Sequence, residues 1–371
     1  MYPSSGFSNW VEVDLHAVDG NVRRLAAQTG GPVMAVVKAN GYGHGLIEVA
    51  RAAAAAGAHS LGVARLEEAL ALRAAELRSP ILVLGGIPDG RWGEAVADDV
   101  QVALWSQEQF QAAAAAARKQ SRTVHVQLKV DTGMSRLGVD PESAFTLASM
   151  IAAADGVVLE GVFTHFARAD EPDPSATETQ LAGFQSLLGR LESKKIRPPL
   201  AHAANSAAAI RFPEARFDLV RSGVGILGLD PSEACRLPEG FQPALTWKAR
   251  LSLVRVYPPG TGVGYGHAYV TTREERIGVV PVGYGDGYRR SEGNVILVGG
   301  RRVPVVGRVC MDQVMVLLED VPEAARGDEA VLIGEQGGEA ISAGDLARAW
   351  GTISYEVVCG IAARVPRVYA G

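Results

Sequence analysis

Val33-Met34-Ala35-Val36-Val37-Lys38-Ala39-Asn40-Gly41-Tyr42-Gly43-His44-Gly45, followed by the alanine-rich run 46–56, is the stretch on which the reading of the fold turns. Five apolar residues without polar alternation fit a strand buried on both faces, as in a parallel sheet. Glycines 41, 43 and 45 then make a turn, and 46–56 reads as a helix. The same unit recurs downstream. Apolar runs at 61–64, 81–84, 100–104, 124–130, 157–163, 199–203 and 218–220 bring the strands to eight. Helical stretches at 66–77, 94–97, 107–118, 142–154, 178–191 and 206–211 separate most of them. Ser106 with Gln109 reads as a capping box. Eight βα units over about 200 residues match the span of a (β/α)8 barrel. A doubly wound sheet is the competitor, because strand runs alone do not reveal closure.

A barrel carries its chemistry on the rim made by the C-terminal ends of its strands, and reactive residues gather there. Lys38 follows the first strand, Lys129 ends the fifth, and Arg136 lies in the loop beyond. His165 follows the sixth, His202, Asn205 and Ser206 the seventh, and Arg221 and Gly223 the eighth. Strands two to four end in little but glycine or alanine, so the site is expected on one side of the rim.

Beyond Pro238 the period changes to two, with runs at 245–256, 277–282, 295–298, 303–309, 314–317 and 330–333 and one short helix at 343–349 opened by Ser342. This is a mostly antiparallel β domain. The expected architecture is an α/β chain: a barrel over 1–240 and a mostly-β domain over 241–371. The alternating segment 11–15 makes residues 1–14 candidates to pair with the second domain.

The chain has 371 residues, 47% hydrophobic and 21% charged, with a net charge of −5. That is globular composition. With no basic stripe, nucleic acid is not an expected partner. No apolar run reaches the ~18 residues that cross a bilayer, and Met1–Trp10 lacks the marks of a secretory signal. The three cysteines, Cys235, Cys310 and Cys359, show neither a disulfide framework nor zinc spacing, and no metal is expected. The reading is cytoplasmic.

Lys38 is delivered to the rim by a buried strand. A lysine stem in apolar surroundings lowers the ammonium pKa and suits Schiff-base chemistry; a lysine merely snorkelling at a strand end is the blander reading. Ser222-Gly223-Val224-Gly225 after the last strand is where such barrels hold phosphate. Asn205 and Ser206 open a helix, where N–H groups favour an anion, although either alone is as readily an N-cap. A Schiff-base lysine and a phosphate cradle on one rim point to pyridoxal 5'-phosphate.

The chain also resembles the alanine racemases, pyridoxal-phosphate enzymes of fold type III. The resemblance rests on Ala35–Gly45 as quoted above, Lys129-Val130-Asp131-Thr132-Gly133-Met134-Ser135-Arg136-Leu137-Gly138, Thr164-His165-Phe166-Ala167, Gly264-Tyr265-Gly266, Gly307-Arg308-Val309-Cys310-Met311-Asp312-Gln313 and Arg364-Val365-Pro366-Arg367-Val368-Tyr369. It implies that Lys38 tethers the cofactor and that Lys38 and Tyr265 are the two catalytic acid–base groups, with Tyr265 reaching the site of the partner in a homodimer. A planar carbanion must lose its proton from one face and regain it on the other. It further implies cofactor contacts from Tyr42, His165, Ser206, Arg221, Gly223, Val224 and Tyr355, and substrate contacts from Arg136 and the Met311 backbone. Arg221 would face the pyridine nitrogen and keep it neutral, weakening the electron sink and suppressing transamination. His202 would brace Arg221, Lys129 (carbamylated, or paired with a carboxylate) would orient Arg136, and Asn205 and Asp312 would stand behind the direct contacts. Asp170, Tyr284 and Arg308 would line the entrance. Ser222, Val224, Ser135 and Gly41 depart from the commoner family residues without removing a functional group.

The implied activity is the interconversion of L- and D-alanine, for peptidoglycan. A racemase of serine or of a broader range of amino acids is the alternative. A non-catalytic pyridoxal-phosphate barrel would need neither a second domain nor Tyr265. A basic amino-acid decarboxylase would place an acid, not Arg221, at the pyridine nitrogen.

Overall fold

In the computed structural model, which describes residues 6–371, the chain divides into two compact units, Val18–Gln242 and the remainder. Of the segment 1–14, residues 1–5 lie outside the described residues. The strands run β1 (Asn9–Asp14), β2 (Val33–Val36), β3 (Ser60–Val63), β4 (Ile81–Val83), β5 (Gln101–Leu104), β6 (Val124–Lys129), β7 (Val157–Phe163), β8 (Leu200–His202) and β9 (Val220–Ser222).

Strands β2 to β9 form one parallel sheet in the order β8-β7-β6-β5-β4-β3-β2-β9. The first and last strands of the repeat, β2 and β9, are neighbours, with Val33 opposite Val220 and Ala35 opposite Ser222. The seam between β8 and β9 is carried by backbone bonds from Asp218 N to Ala201 O and from Arg221 N to Ala204 O, each 3.0 Å. The sheet therefore curls into a barrel rather than opening into a doubly wound plane. Each residue of β2, β3 and β4 is buried, as strands covered on both faces require.

The helices follow from spacing and caps. In Gln107–Gln120 the buried residues are Phe110, Ala113, Ala114 and Ala117, one face at helical period. Ser106 Oγ accepts from Gln109 N, but the glutamine side chain returns to Trp105 N, so the expected box is offset by one residue on its second arm. Asp140 caps Pro141–Ala152 by accepting from Glu142 N and Ser143 N, with proline at the first helical position.

One sequence boundary needs correcting. The eighth barrel strand is Val220–Ser222, not 218–220. Asp218 instead turns its carboxylate to Ala201 N and Arg197, which delays the strand. Arg221 thus lies within the strand and points from it, and does not follow it.

The second unit is built on a ten-stranded sheet, with Gly262–Val263 and Tyr269–Val270 paired apart from it as a two-stranded ribbon. Its later strands are β10 (Leu245–Arg250), β11 (Leu253–Tyr257), β12 (Gly262–Val263), β13 (Tyr269–Val270), β14 (Glu275–Val280), β15 (Val295–Val298), β16 (Arg301–Val306), β17 (Val314–Leu317), β18 (Glu329–Gln336), β19 (Glu339–Ile341) and β20 (Arg367–Ala370). β1 lies between β10, antiparallel, and β20, parallel. Trp10, Val11 and Val13 of β1 are fully buried. Trp247, Tyr288 and Trp350 pack edge to face in this core, with ring centroids 6.0 and 5.6 Å apart. Ser342 caps the expected helix, Ala343–Trp350. A second helix, Ser354–Cys359, which short length and mixed polarity hid in the sequence, carries Tyr355.

Candidate active site

The chain leaves β2 through a turn of the wrong hand. Ala39, Asn40, Gly41 and Tyr42 all take positive φ, between 51° and 60°, closed by bonds from Gly41 N to Val37 O and Gly43 N to Ala39 O. A left-handed turn costs L-residues roughly 1–2 kcal/mol each, and strain of that kind collects at functional sites. Glu68 supports it: its carboxylate accepts from Ala39 N at 2.7 Å and from Ala64 N at 2.8 Å. The turn lays the Tyr42 ring against Gly223, whose missing side chain makes the space: a Cβ there would run into the Tyr42 hydroxyl. Lys38 Nζ lies 5.9 Å from the centre of the same ring.

Gly223 opens the short turn Val224–Leu227 after β9, and Val224 is buried. Ser206 is buried beside it, its hydroxyl 3.0 Å from Ser222 Oγ and accepting from Gly225 N. Ser206 and Ser222 thus form a hydroxyl pair at the cradle. Gly225 is required there, since a Cβ would lie 2.6 Å from Ser222 Oγ. Asn205 is spent as an N-cap, accepting from Ala208 N at 2.9 Å.

Below the cradle lies Arg221, 4% exposed. Among the described residues its partners are neutral: the carbonyls of Thr164 and Ala203, His202 Nδ1 at 2.8 Å and His165 Nδ1 at 3.2 Å. Burial pulls the guanidinium down to about 9, still protonated at neutral pH. Burial, and next Arg221, hold both histidines well below the usual imidazole value, so both are neutral. Phe163 stacks on His202 with ring centres 4.8 Å apart, and both Arg221 and Lys129 lie over that ring.

Lys129 ends β6, buried, with Nζ 3.4 Å from Leu84 O. Burial, then the charges of Arg221, Arg136 and Lys38, push its ammonium down to about 8. Arg136 stands on a tight loop. Asp131 accepts from the backbone N–H groups of Gly133, Met134 and Ser135, and Val139 N returns to Lys129 O. Asp170 joins the same unit through its carbonyl, which accepts from Ser232 Oγ.

Arg221, Arg136 and Lys38 thus all bear electrostatically on Lys129 at this rim, with Asp131 the acid that offsets them there. Such a surplus fits an anionic ligand. With the glycine-lined cradle and a lysine beside it, the donor set suits a molecule with a phosphate and a carbonyl: the residues present fit pyridoxal phosphate.

The other expected residues lie in the β unit. Tyr265 is 69% exposed in a turn between Gly264 and Gly266, both at φ 68°. The Arg308 guanidinium covers Gly266, where a Cβ would lie 3.2 Å from it. Tyr284 and Met311 are exposed neighbours: Tyr284 N donates to Cys310 O and Gly285 N to Met311 O. Arg364 bridges Asp286 and Asp312, 2.8 Å from each, behind that pair of loops. Tyr355 is half-buried in its helix. The expected residues thus form two sets, one per unit. Gln127, which bonds His202, was not anticipated, although a glutamine within the apolar run 124–130 was a visible signal.

The description "Alanine racemase, N-terminal domain" matches residues 13–231, and "Alanine racemase, C-terminal domain" matches 244–369. An alanine racemase of Symbiobacterium thermophilum is 48% identical over 98% of this chain and 97% of its own. That of Desulfovibrio desulfuricans is 44% identical over 97% of each. The crystal structure of alanine racemase from Streptomyces lavendulae superposes with a TM-score of 0.93 at 43% identity, covering 98% of this chain and 97% of that one. The enzyme from Bacillus anthracis with bound L-Ala-P gives 0.92 at 39% identity, covering 98% and 95%. With the barrel rim and the β unit both accounted for, the chain belongs to the alanine racemase family.

Proposed function

We propose that this chain interconverts L- and D-alanine with pyridoxal phosphate, as a homodimer in which Tyr265 of each chain serves the barrel of its partner. The observation that carries the reading is the buried, charged Arg221, whose partners among the described residues are neutral, at the base of a rim that also presents Lys38. Pyridoxal phosphate supplies, when bound, an aldehyde that condenses with amines and a ring that delocalises the electron pair left at the substrate Cα. Lys38 would hold the cofactor through its amine and move a proton at the substrate Cα on one face. Tyr265 moves the proton on the other face, and Arg308 against Gly266 keeps a cation beside its turn. Arg221, a donor at every nitrogen, would face the ring nitrogen and keep a proton off it, which would weaken the ring as an electron sink and disfavour transamination.

Tyr42, Ser206 and the N–H groups after Gly223 bind the phosphate. Arg136 and the Met311 N–H orient the substrate carboxylate. Lys129, with its pKa near 8, is partly neutral at physiological pH and open to carbamylation, which would convert a repelling cation into an anion that steadies Arg136. Tyr355 would join Tyr42 and Ser206 in holding the phosphate, and Asp170, Tyr284 and Arg308 would narrow the way in and favour a methyl side chain. The role we assign is the cytoplasmic supply of D-alanine to peptidoglycan.

The test is a visible spectrum of the purified protein, followed by a chiral assay with L-alanine. The expected result is a coloured protein that brings L- and D-alanine to equal amounts. A colourless protein that refuses added pyridoxal phosphate overturns the reading. Mixing Lys38→Ala and Tyr265→Phe chains is expected to restore activity in mixed dimers, and its absence there refutes sharing.

A further inference from the structure

A row of hydrogen bonds beneath the barrel rim gives Gln127, in the middle of β6, a part in the site. Arginine offers only donors. Arg221 NH1 lies 2.8 Å from His202 Nδ1, so Nδ1 must accept, and the neutral ring carries its proton on Nε2. Nε2 lies 2.7 Å from Gln127 Oε1. A protonated Nε2 needs an acceptor, so the amide turns its oxygen to the ring and its NH2 away. That NH2 donates to Gln101 Oε1 at 2.7 Å. Arg221 at one end and Gln127, held by Gln101, at the other thus favour the same tautomer, and reversing one member sets donor against donor.

The fold makes room for this row. β7 gains an extra residue against β6: Val126 pairs with Leu159, but Gln127 pairs with Gly161. The skipped residue, Glu160, turns to His125 at 3.0 Å. Gly161 is thereby brought opposite Gln127, where a Cβ would lie 2.9 Å from the amide oxygen and 3.1 Å from Leu200 O. A bulge and a glycine in a strand commonly mark such a close approach. Gln127 and His202 are 1% and 0% exposed, so a polar group left unpaired there would bear its full desolvation penalty.

We propose that Gln127, held by Gln101 in the notch at Gly161, is a positioning residue that locks His202 in its Nε2-protonated tautomer and so fixes the direction of Arg221. Its consequence for catalysis rests on the reading of Arg221 as the group facing the cofactor ring nitrogen.

The experiment is nitrogen NMR of 15N-histidine-labelled full-length protein, as purified and with pyridoxal phosphate added, with His202 assigned from His202→Gln. The expected spectrum has a protonated Nε2 and an unprotonated Nδ1 in both samples. Gln127→Met is expected to give a mixture of tautomers, a fall in kcat of about tenfold or more with KM changed less than about twofold, and more transamination per turnover. Gln101→Leu, a half-buried and milder change, is expected to shift the same signals by less, and it carries the test if Gln127→Met does not fold. A proton on Nδ1 in the wild-type protein overturns the proposal. So does a variant set with an unmixed tautomer and unchanged kcat. A correct tautomer in a protein that does not racemise alanine sinks the proposed function and leaves the positioning of Arg221 standing.

Discussion

The Tyr42 hydroxyl occupies the place that a side chain on Gly223 would need. The two residues come from opposite ends of the barrel repeat, one from the left-handed turn after β2 and one from the turn after β9, which the closed sheet makes neighbours. Gly223 has φ −105°, open to any residue, so its requirement is purely steric. Gly223→Ala is expected to displace Tyr42, cost about 1–3 kcal/mol by overpacking and weaken pyridoxal-phosphate binding by about tenfold or more. Absorbance titration reads the affinity. Tyr42→Ala added to it should cost less stability than it does alone; full additivity would contradict the contact.

On the proposed two-base arrangement, Tyr265→Phe removes one acid–base group and spares Lys38. Since the two enantiomers are equal in free energy, racemisation must fall equally in both directions, by about 10²–10⁴-fold. Exchange of the Cα hydrogen with D2O should nevertheless persist for the enantiomer whose proton faces Lys38. Equal loss of exchange from both enantiomers would refute the two-base arrangement.

Arg221→Glu would place an acceptor where all the neighbouring acceptors expect donors, and would invite a proton onto the ring nitrogen. We expect racemisation to fall by about 10²-fold or more, and pyruvate formation per turnover to rise. A fall in both would argue against the role assigned to Arg221 in suppressing transamination.

Lys129 gives a pH dependence with a definite sign. Its folded value is about 8, through burial first and then its cationic neighbours; an unfolded lysine titrates near 10.4. Between these values the unfolded chain binds more protons, so stability gains with rising pH. Below about 8 the penalty is present in full. The urea midpoint of wild type minus that of Lys129→Met is expected to climb through this window and to be flat beneath it. A difference that falls with pH would contradict the assigned environment.

Much of the barrel was legible because its signals are local. Buried parallel strands read as unbroken apolar runs, alanine-rich helices lie between them, and the rim residues lie in or just after the strands in order. The eighth strand was misplaced because Asp218 is committed to Ala201 and Arg197, a contact between segments that no local pattern records. The helix Ser354–Cys359 is too short for its period to show.

Lys38 and Arg221 could be singled out by residue type and by their place at the barrel rim, whereas Tyr265, and the role expected of Arg221, came only from the resemblance to the alanine racemases. The sequence also settled the periods of the two units and the apolar character of their strands. What needed the tertiary structure was everything that depends on which way a side chain turns. The hand of the turn at Ala39–Tyr42 is set by its own hydrogen bonds and by Glu68, the lowered pKa of Lys129 by burial and then by Arg221, Arg136 and Lys38, and the tautomer of His202 by Arg221 on one side and a glutamine admitted through a bulge on the other. Strand and helix patterns arise from neighbours along the chain, whereas hydrogen-bond direction and desolvation arise from groups that meet only after the sheet has closed.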